Sequence, residues 1–173
     1  MSRIGWGLVA LLLSATTAMA QLDPGEGSGG SWAPTGSMKV ARQHHTVILL
    51  ASGKVLAIGG YSNSIGGVTN SCEIYDPATG TWTLTGSMVV PRTRPSAVLL
   101  PSGKVLVRGS ITGPLNFMEV YDPSSGTWSK GAKDILTAYL GAPVLLPNGN
   151  VLFMARGGSC ATYNPVTNRW LKD

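Results

Sequence analysis

The sequence is short of the residues that most chemistry needs. Among 173 residues there are two histidines, two cysteines, two phenylalanines and eight carboxylates, and only 12% of the chain is charged. His44 and His45 are adjacent and would point to opposite faces of a strand, so they cannot share a metal, and no His or Cys constellation supplies further ligands. We expect no metal, no cofactor and no catalytic residue. A Gly-x-Ser-x-Gly elbow, a nucleotide-binding glycine loop in useful context and repeated His/Asp pairings are all missing. The formal charge is +5, but there is no Lys/Arg run and no segment where basic and aromatic residues interleave, which argues against nucleic acid as a partner.

Long apolar runs are also missing. The best is Leu8–Leu13, far below the ~20 residues of a membrane span. It follows Arg3 and precedes Ala18-Met19-Ala20, which together read as a secretory signal peptide over residues 1–20, cleaved after Ala20. The mature chain is then expected to be secreted or periplasmic, with no membrane span. Residues 21–31 contain the Gly/Ser-rich stretch Gly25–Ser31 and read as a flexible leader, not a phosphate cradle.

What is abundant is turn chemistry. There are 23 Gly and 11 Pro, and 43% of residues are apolar, a profile that suits a packed all-β protein of short strands. Phrases then recur in fixed order. Thr35-Gly36-Ser37-Met38 with Arg42 returns as Thr85-Gly86-Ser87-Met88 with Arg92. The phrase from Leu49 to Leu56 returns from Leu99 to Leu106 and from Leu145 to Leu152. Tyr75-Asp76-Pro77, Tyr121-Asp122-Pro123 and Tyr163-Asn164-Pro165 are each followed by a tryptophan. Trp32, Trp82, Trp128 and Trp170 thus mark three units, about 32–82, 83–128 and 129–170.

Ser52-Gly53, Ser102-Gly103 and Asn148-Gly149, each between apolar runs, predict tight hairpins. Asp76–Gly80 and Asp122–Gly126 predict a second one. Each unit therefore holds four strands, in the first about His45–Leu50, Lys54–Gly60, Cys72–Tyr75 and Thr81–Leu84. A repeated four-stranded antiparallel unit is a propeller blade.

These units resemble kelch repeats over Trp32 to Trp170, the central-domain superfamily of galactose oxidase included. The resemblance implies an all-β fold of three four-stranded blades in an incomplete or open ring. It implies that Gly59 and Gly60 allow a tight exit from the second strand. It also implies that Tyr75, Trp82, Tyr121, Trp128, Tyr163 and Trp170 pack between blades. The pattern fades along the chain: Gly109-Ser110 and Ala155-Arg156 replace the glycine pair, and Ala138 stands where Arg42 and Arg92 do. Asp134–Leu140 has room for a short helix.

A propeller needs about four to eight blades. Three readings stay open: a truncated longer protein, a half-ring that self-associates, or a stable open arc. Cys72 and Cys160 occupy equivalent positions two blades apart, too far to bridge, and are expected to be buried free thiols. By the same resemblance Arg42 and Arg92 tie blades together. With Lys39, His44 and Arg94 they also form a candidate basic rim for a ligand or partner. The loops Tyr61–Ser71 and Ile111–Asn116 are the better candidates for partner contact. The expected function is an exported, non-catalytic module binding a protein or a glycan. The alternative is a fragment of a galactose-oxidase-like copper radical oxidase, inactive as it stands because His44-His45 replaces the tyrosine that such a site needs.

Overall fold

The computed structural model describes residues 33–109, 117–133, 135, 142–155 and 158–171. Every element falls in the unit Pro34–Asp173. Trp32, the signal peptide, the leader, Ile111–Asn116 and all of Asp134–Leu140 but residue 135 lie outside the described residues.

The first sheet contains β1 (Thr46–Leu49), β2 (Val55–Ile58), β5 (Cys72–Asp76) and β6 (Thr81–Thr85), with β3 (Tyr61–Ser62) and β4 (Gly67–Val68) as a small hairpin inserted between β2 and β5. The second contains β7 (Ser96–Leu99), β8 (Val105–Arg108), β9 (Phe117–Asp122) and β10 (Thr127–Lys133). The third contains β11 (Val144–Leu145), β12 (Val151–Met154), β13 (Cys160–Asn164) and β14 (Arg169–Trp170). Each is an antiparallel meander, and none closes into a barrel. The architecture is all-β and propeller-like, as the repeat predicts.

The expected turns have a clear physical origin. Gly53, Gly103 and Gly149 take φ near 80° and donate N–H to the carbonyls of Leu50, Leu100 and Leu146. In the third turn it is Gly149, not Asn148, that takes the positive φ; the Asn148 side chain instead accepts the N–H of Asn150. At the other hairpin, Asp76 Oδ1 accepts the Ala78 N–H and Asp122 Oδ1 accepts the Ser124 N–H. Asn164 does the same for Val166 and Thr167. Asn168, at the Gly80 and Gly126 position, takes φ 54°, a conformation asparagine tolerates.

The period of two sends alternate side chains to opposite faces of each sheet. In the first sheet Ile48, Leu56, Ile58, Cys72 and Ile74 share one face and pack against Ala97, Leu99, Val105, Val107, Tyr121 and Trp128 of the second. The opposite face of the second sheet, with Val98, Leu106, Met118 and Val120, packs against Val151, Phe153, Tyr163 and Trp170 of the third. Burying each such large side chain contributes about 1.5–3 kcal/mol, so these two apolar layers hold the sheets together.

Two expectations need correction. Tyr61–Ser71 is not only a loop: it carries the β3–β4 hairpin, with Tyr61 paired to Val68. The cysteines are both free, but only Cys72 is buried; Cys160 is exposed on the face of the third sheet that no described sheet covers.

Candidate functional site

The arginines on which the sequence pattern turns are internal struts. Arg42 and Glu73 form an ion pair at 2.8 Å, and neither side chain is exposed. Arg42 Nη1 also donates to the carbonyls of Gly59 (2.9 Å) and Ser71 (2.7 Å), and Nε to that of Val40. Glu73 in turn accepts the N–H groups of Lys39 (2.6 Å) and Val40 (3.0 Å). Burial alone would raise its pKa, but those two N–H groups and the Arg42 guanidinium outweigh burial and hold it below the ordinary value.

The second blade repeats this. Arg92 and Glu119 pair at 3.0 Å with neither side chain exposed, Arg92 donates to Gly109 and Phe117 carbonyls, and Glu119 accepts the Val89 N–H. The glutamates escaped the sequence reading, although a signal was present. Glu73 and Glu119 each stand two residues before the repeat tyrosine, and in the third unit Ala161 and Ala138 replace both partners together. Lys54–Asp76 and Lys104–Asp122, both at 3.0 Å, follow the same rule, with Asn150 and Asn164 in the third unit.

The repeat aromatics pair within each sheet. Trp82 lies over Tyr75 and Trp128 over Tyr121, each at 5.1 Å between ring centres, and Trp170 lies near Tyr163 and Phe153. Tyr121 Oη meets Thr85 Oγ1 at 2.7 Å, and Trp128 Nε1 donates to the Gly86 carbonyl at 2.9 Å, tying the end of one sheet to the next. Tyr75 Oη meets Thr35 Oγ1 at 2.6 Å in the equivalent place, so the segment after residue 33 docks as a fourth strand does.

Gly59 and Gly60 take φ of 59° and 104° because the chain crosses itself there: a Cβ on Gly59 would lie 2.4 Å from the Arg92 carbonyl oxygen, and one on Gly60 2.7 Å from that of Gln43. This crossing builds one continuous face. Gly60 N–H donates to Arg92 O, Arg92 N–H to Thr69 O, Arg94 N–H to His44 O, and Gln43 and Tyr61 exchange backbone bonds. Thr46 Oγ1 donates to the Pro95 carbonyl beside it.

Of the candidate rim, then, Arg42 and Arg92 are turned inward, whereas Lys39, His44 and Arg94 are exposed. His44 and Arg94 meet, with Nε2 and Nη2 3.2 Å apart. His45 is half-buried, and burial, followed by the nearby Arg42 charge, lowers its pKa. Among the described residues no three His, Cys, Asp or Glu side chains gather, and no helix is long and apolar enough to cross a membrane.

Successive four-stranded sheets with repeat-matched ion pairs and Tyr–Trp seams fit a kelch-repeat, propeller-type fold. Residues 47–89 match the family model described as Kelch motif, which spans the first sheet and the start of the link to the second. No curated protein matches the chain.

Proposed function

We infer that the kelch motif over residues 47–89 marks a protein-interaction module, a class that is usually non-catalytic. We propose that this chain is an exported, non-catalytic binding module that recognises a protein or glycan through the face built by residues 40–45, 59–71 and 88–95. The observation that carries this is the β3–β4 hairpin. It projects from the first sheet with its tip at Asn63–Gly66 exposed, Ile65 among them, while its base is fixed by the Gln43–Tyr61 pair and the buried Arg42 strut. An exposed element on a rigid scaffold is where recognition is placed at low cost in conformational entropy. Export rests on the Arg3, Leu8–Leu13 and Ala18-Met19-Ala20 pattern.

Selection of binders to the purified chain from a displayed peptide library and a glycan array tests the reading. Saturable binders should be lost when residues 63–66 become Gly-Ser-Gly-Ser and kept when Lys54 and Lys104, at the opposite turns, become Gln. Binders indifferent to the hairpin would overturn it. N-terminal sequencing of exported protein, expected to start at Gln21, tests the leader.

A further inference from the structure

The distribution of charge singles out one spot on this face. The carboxylates among the described residues are Glu73, Asp76, Glu119 and Asp122, and each is already held by Arg42, Lys54, Arg92 or Lys104. Arg94 has no carboxylate among the described residues. Its guanidinium reaches His44 Nε2 at 3.2 Å, and its backbone N–H donates to His44 O at 2.7 Å. A guanidinium brings five N–H donors in a planar fork and no acceptor, so one imidazole nitrogen leaves most of that fork open to solvent.

The backbone presents the pair deliberately. His44 and Arg94 stand two residues after Arg42 and Arg92, in equivalent places of neighbouring blades, and both take the left-handed conformation, with φ of 55° and 50°. A non-glycine residue there is strained and persists only where the surroundings impose it. Here they do: Gln43 is bound to Tyr61 on one side, and Arg92 to Gly60 and Thr69 on the other. The two side chains are therefore exposed from a fixed frame, next to the base of the β3–β4 hairpin.

We propose that His44 and Arg94 form an anchoring subsite for a carboxylate of an acidic peptide segment, an inference that rests on the reading of this face as a docking surface. The carboxylate would accept from the Arg94 fork and from the His44 ring. The peptide is favoured over a uronate chain because the adjoining hairpin offers exposed Ile65, an apolar contact that a peptide side chain fills and a sugar acid does not.

The experiment titrates the purified, ¹⁵N-labelled chain with hexaglutamate, hexaglutamine and oligogalacturonate, following backbone amides by NMR. Hexaglutamate should give saturable shifts centred on Gln43, His44 and Arg94, hexaglutamine none, and oligogalacturonate at least tenfold weaker binding. Arg94→Gln should weaken hexaglutamate tenfold or more, and Lys104→Gln should leave it unchanged. Arg94→Gly separates binding from folding: it removes the fork and the backbone strain together, so it should raise the melting temperature while losing the peptide. Equal affinity of Arg94→Gln and the parent chain for hexaglutamate overturns the subsite, as does a preference for oligogalacturonate. A hairpin-dependent binder from the library that still binds Arg94→Gln removes the subsite but leaves the docking face standing.

Discussion

Arg92 and Glu119 lie 3.0 Å apart with neither side chain exposed, and Arg92 also donates to the carbonyls of Gly109, just past β8, and Phe117, at the start of β9. The pair thus joins the link between sheets to the middle of the second sheet. Desolvating two charges is costly, so its value lies in its complete hydrogen bonding and is lost when one partner is removed. Glu119→Ala should destabilise the fold by about 3–5 kcal/mol in urea titration, because it strands the Arg92 charge and the Val89 N–H. The double variant Arg92→Met with Glu119→Leu should lose much less than the sum of the single changes. Additive losses would show that the ion pair is not the coupled unit.

Acid should loosen the blades through Glu73 and Asp122. The Glu73 pKa is lowered in the folded chain, and that of Asp122 falls to about 2 through the Ser124 hydroxyl, Lys104 and the Ser124 N–H. A carboxylate with a folded pKa below its unfolded one stabilises fully above the unfolded value, and that contribution disappears as pH falls through the folded value. Stability should therefore be level above about pH 5 and decline from about pH 4 toward pH 2, where unfolded carboxylates titrate first. Thermal melts across that range check this, and Glu73→Gln should give a shallower slope.

The seam between the first two sheets should be intolerant of a single methyl group. A Cβ on Gly86 would lie 2.2 Å from the Gly126 carbonyl oxygen, a backbone atom that cannot swing aside, and Trp128 Nε1 donates to the Gly86 carbonyl. Gly86→Ala should cost about 3 kcal/mol, at the upper end for overpacking, and should shift the tryptophan emission. Exposed Ser87→Ala beside it should stay within about 0.5 kcal/mol of the parent.

The two thiols should differ in reactivity. Cys72 is buried and its pKa is pushed up to about 11, chiefly by burial, so its thiolate is scarce at neutral pH. Cys160 is exposed. Under native conditions a disulfide reagent should titrate one thiol quickly, that of Cys160, and release the second only on unfolding. Fast reaction of Cys160→Ser protein would contradict the packing around Cys72.

Strand order, the hairpin turns and the Tyr–Trp seams were legible in the sequence because each depends on local chemistry repeated at nearly fixed spacing. Gly53, Asp76 and Pro77 act on their own neighbours, and the same words in three units identify the same strands. Arg42 was legible as a strut only by resemblance, since its partner Glu73 is 31 positions away and no local rule joins them. The β3–β4 hairpin looks like a loop in the sequence, because Tyr61–Val68 has too few residues and too little alternation to announce strands of two residues each.

Local pattern is enough to set the repeat, the four strands of each unit and the scarcity of catalytic side chains. Packing sets which cations serve the core and which face outward. Arg42 and Arg92 are consumed where sheet carbonyls and a glutamate converge, whereas Arg94, two residues further on, is turned to solvent by a left-handed backbone. It also separated two cysteines at equivalent positions, because the second sheet covers Cys72 and no described sheet covers Cys160. The arginines are settled by glutamates 31 and 27 positions away in their own units, and the cysteines by what a neighbouring blade brings into contact, both beyond the reach of any local pattern.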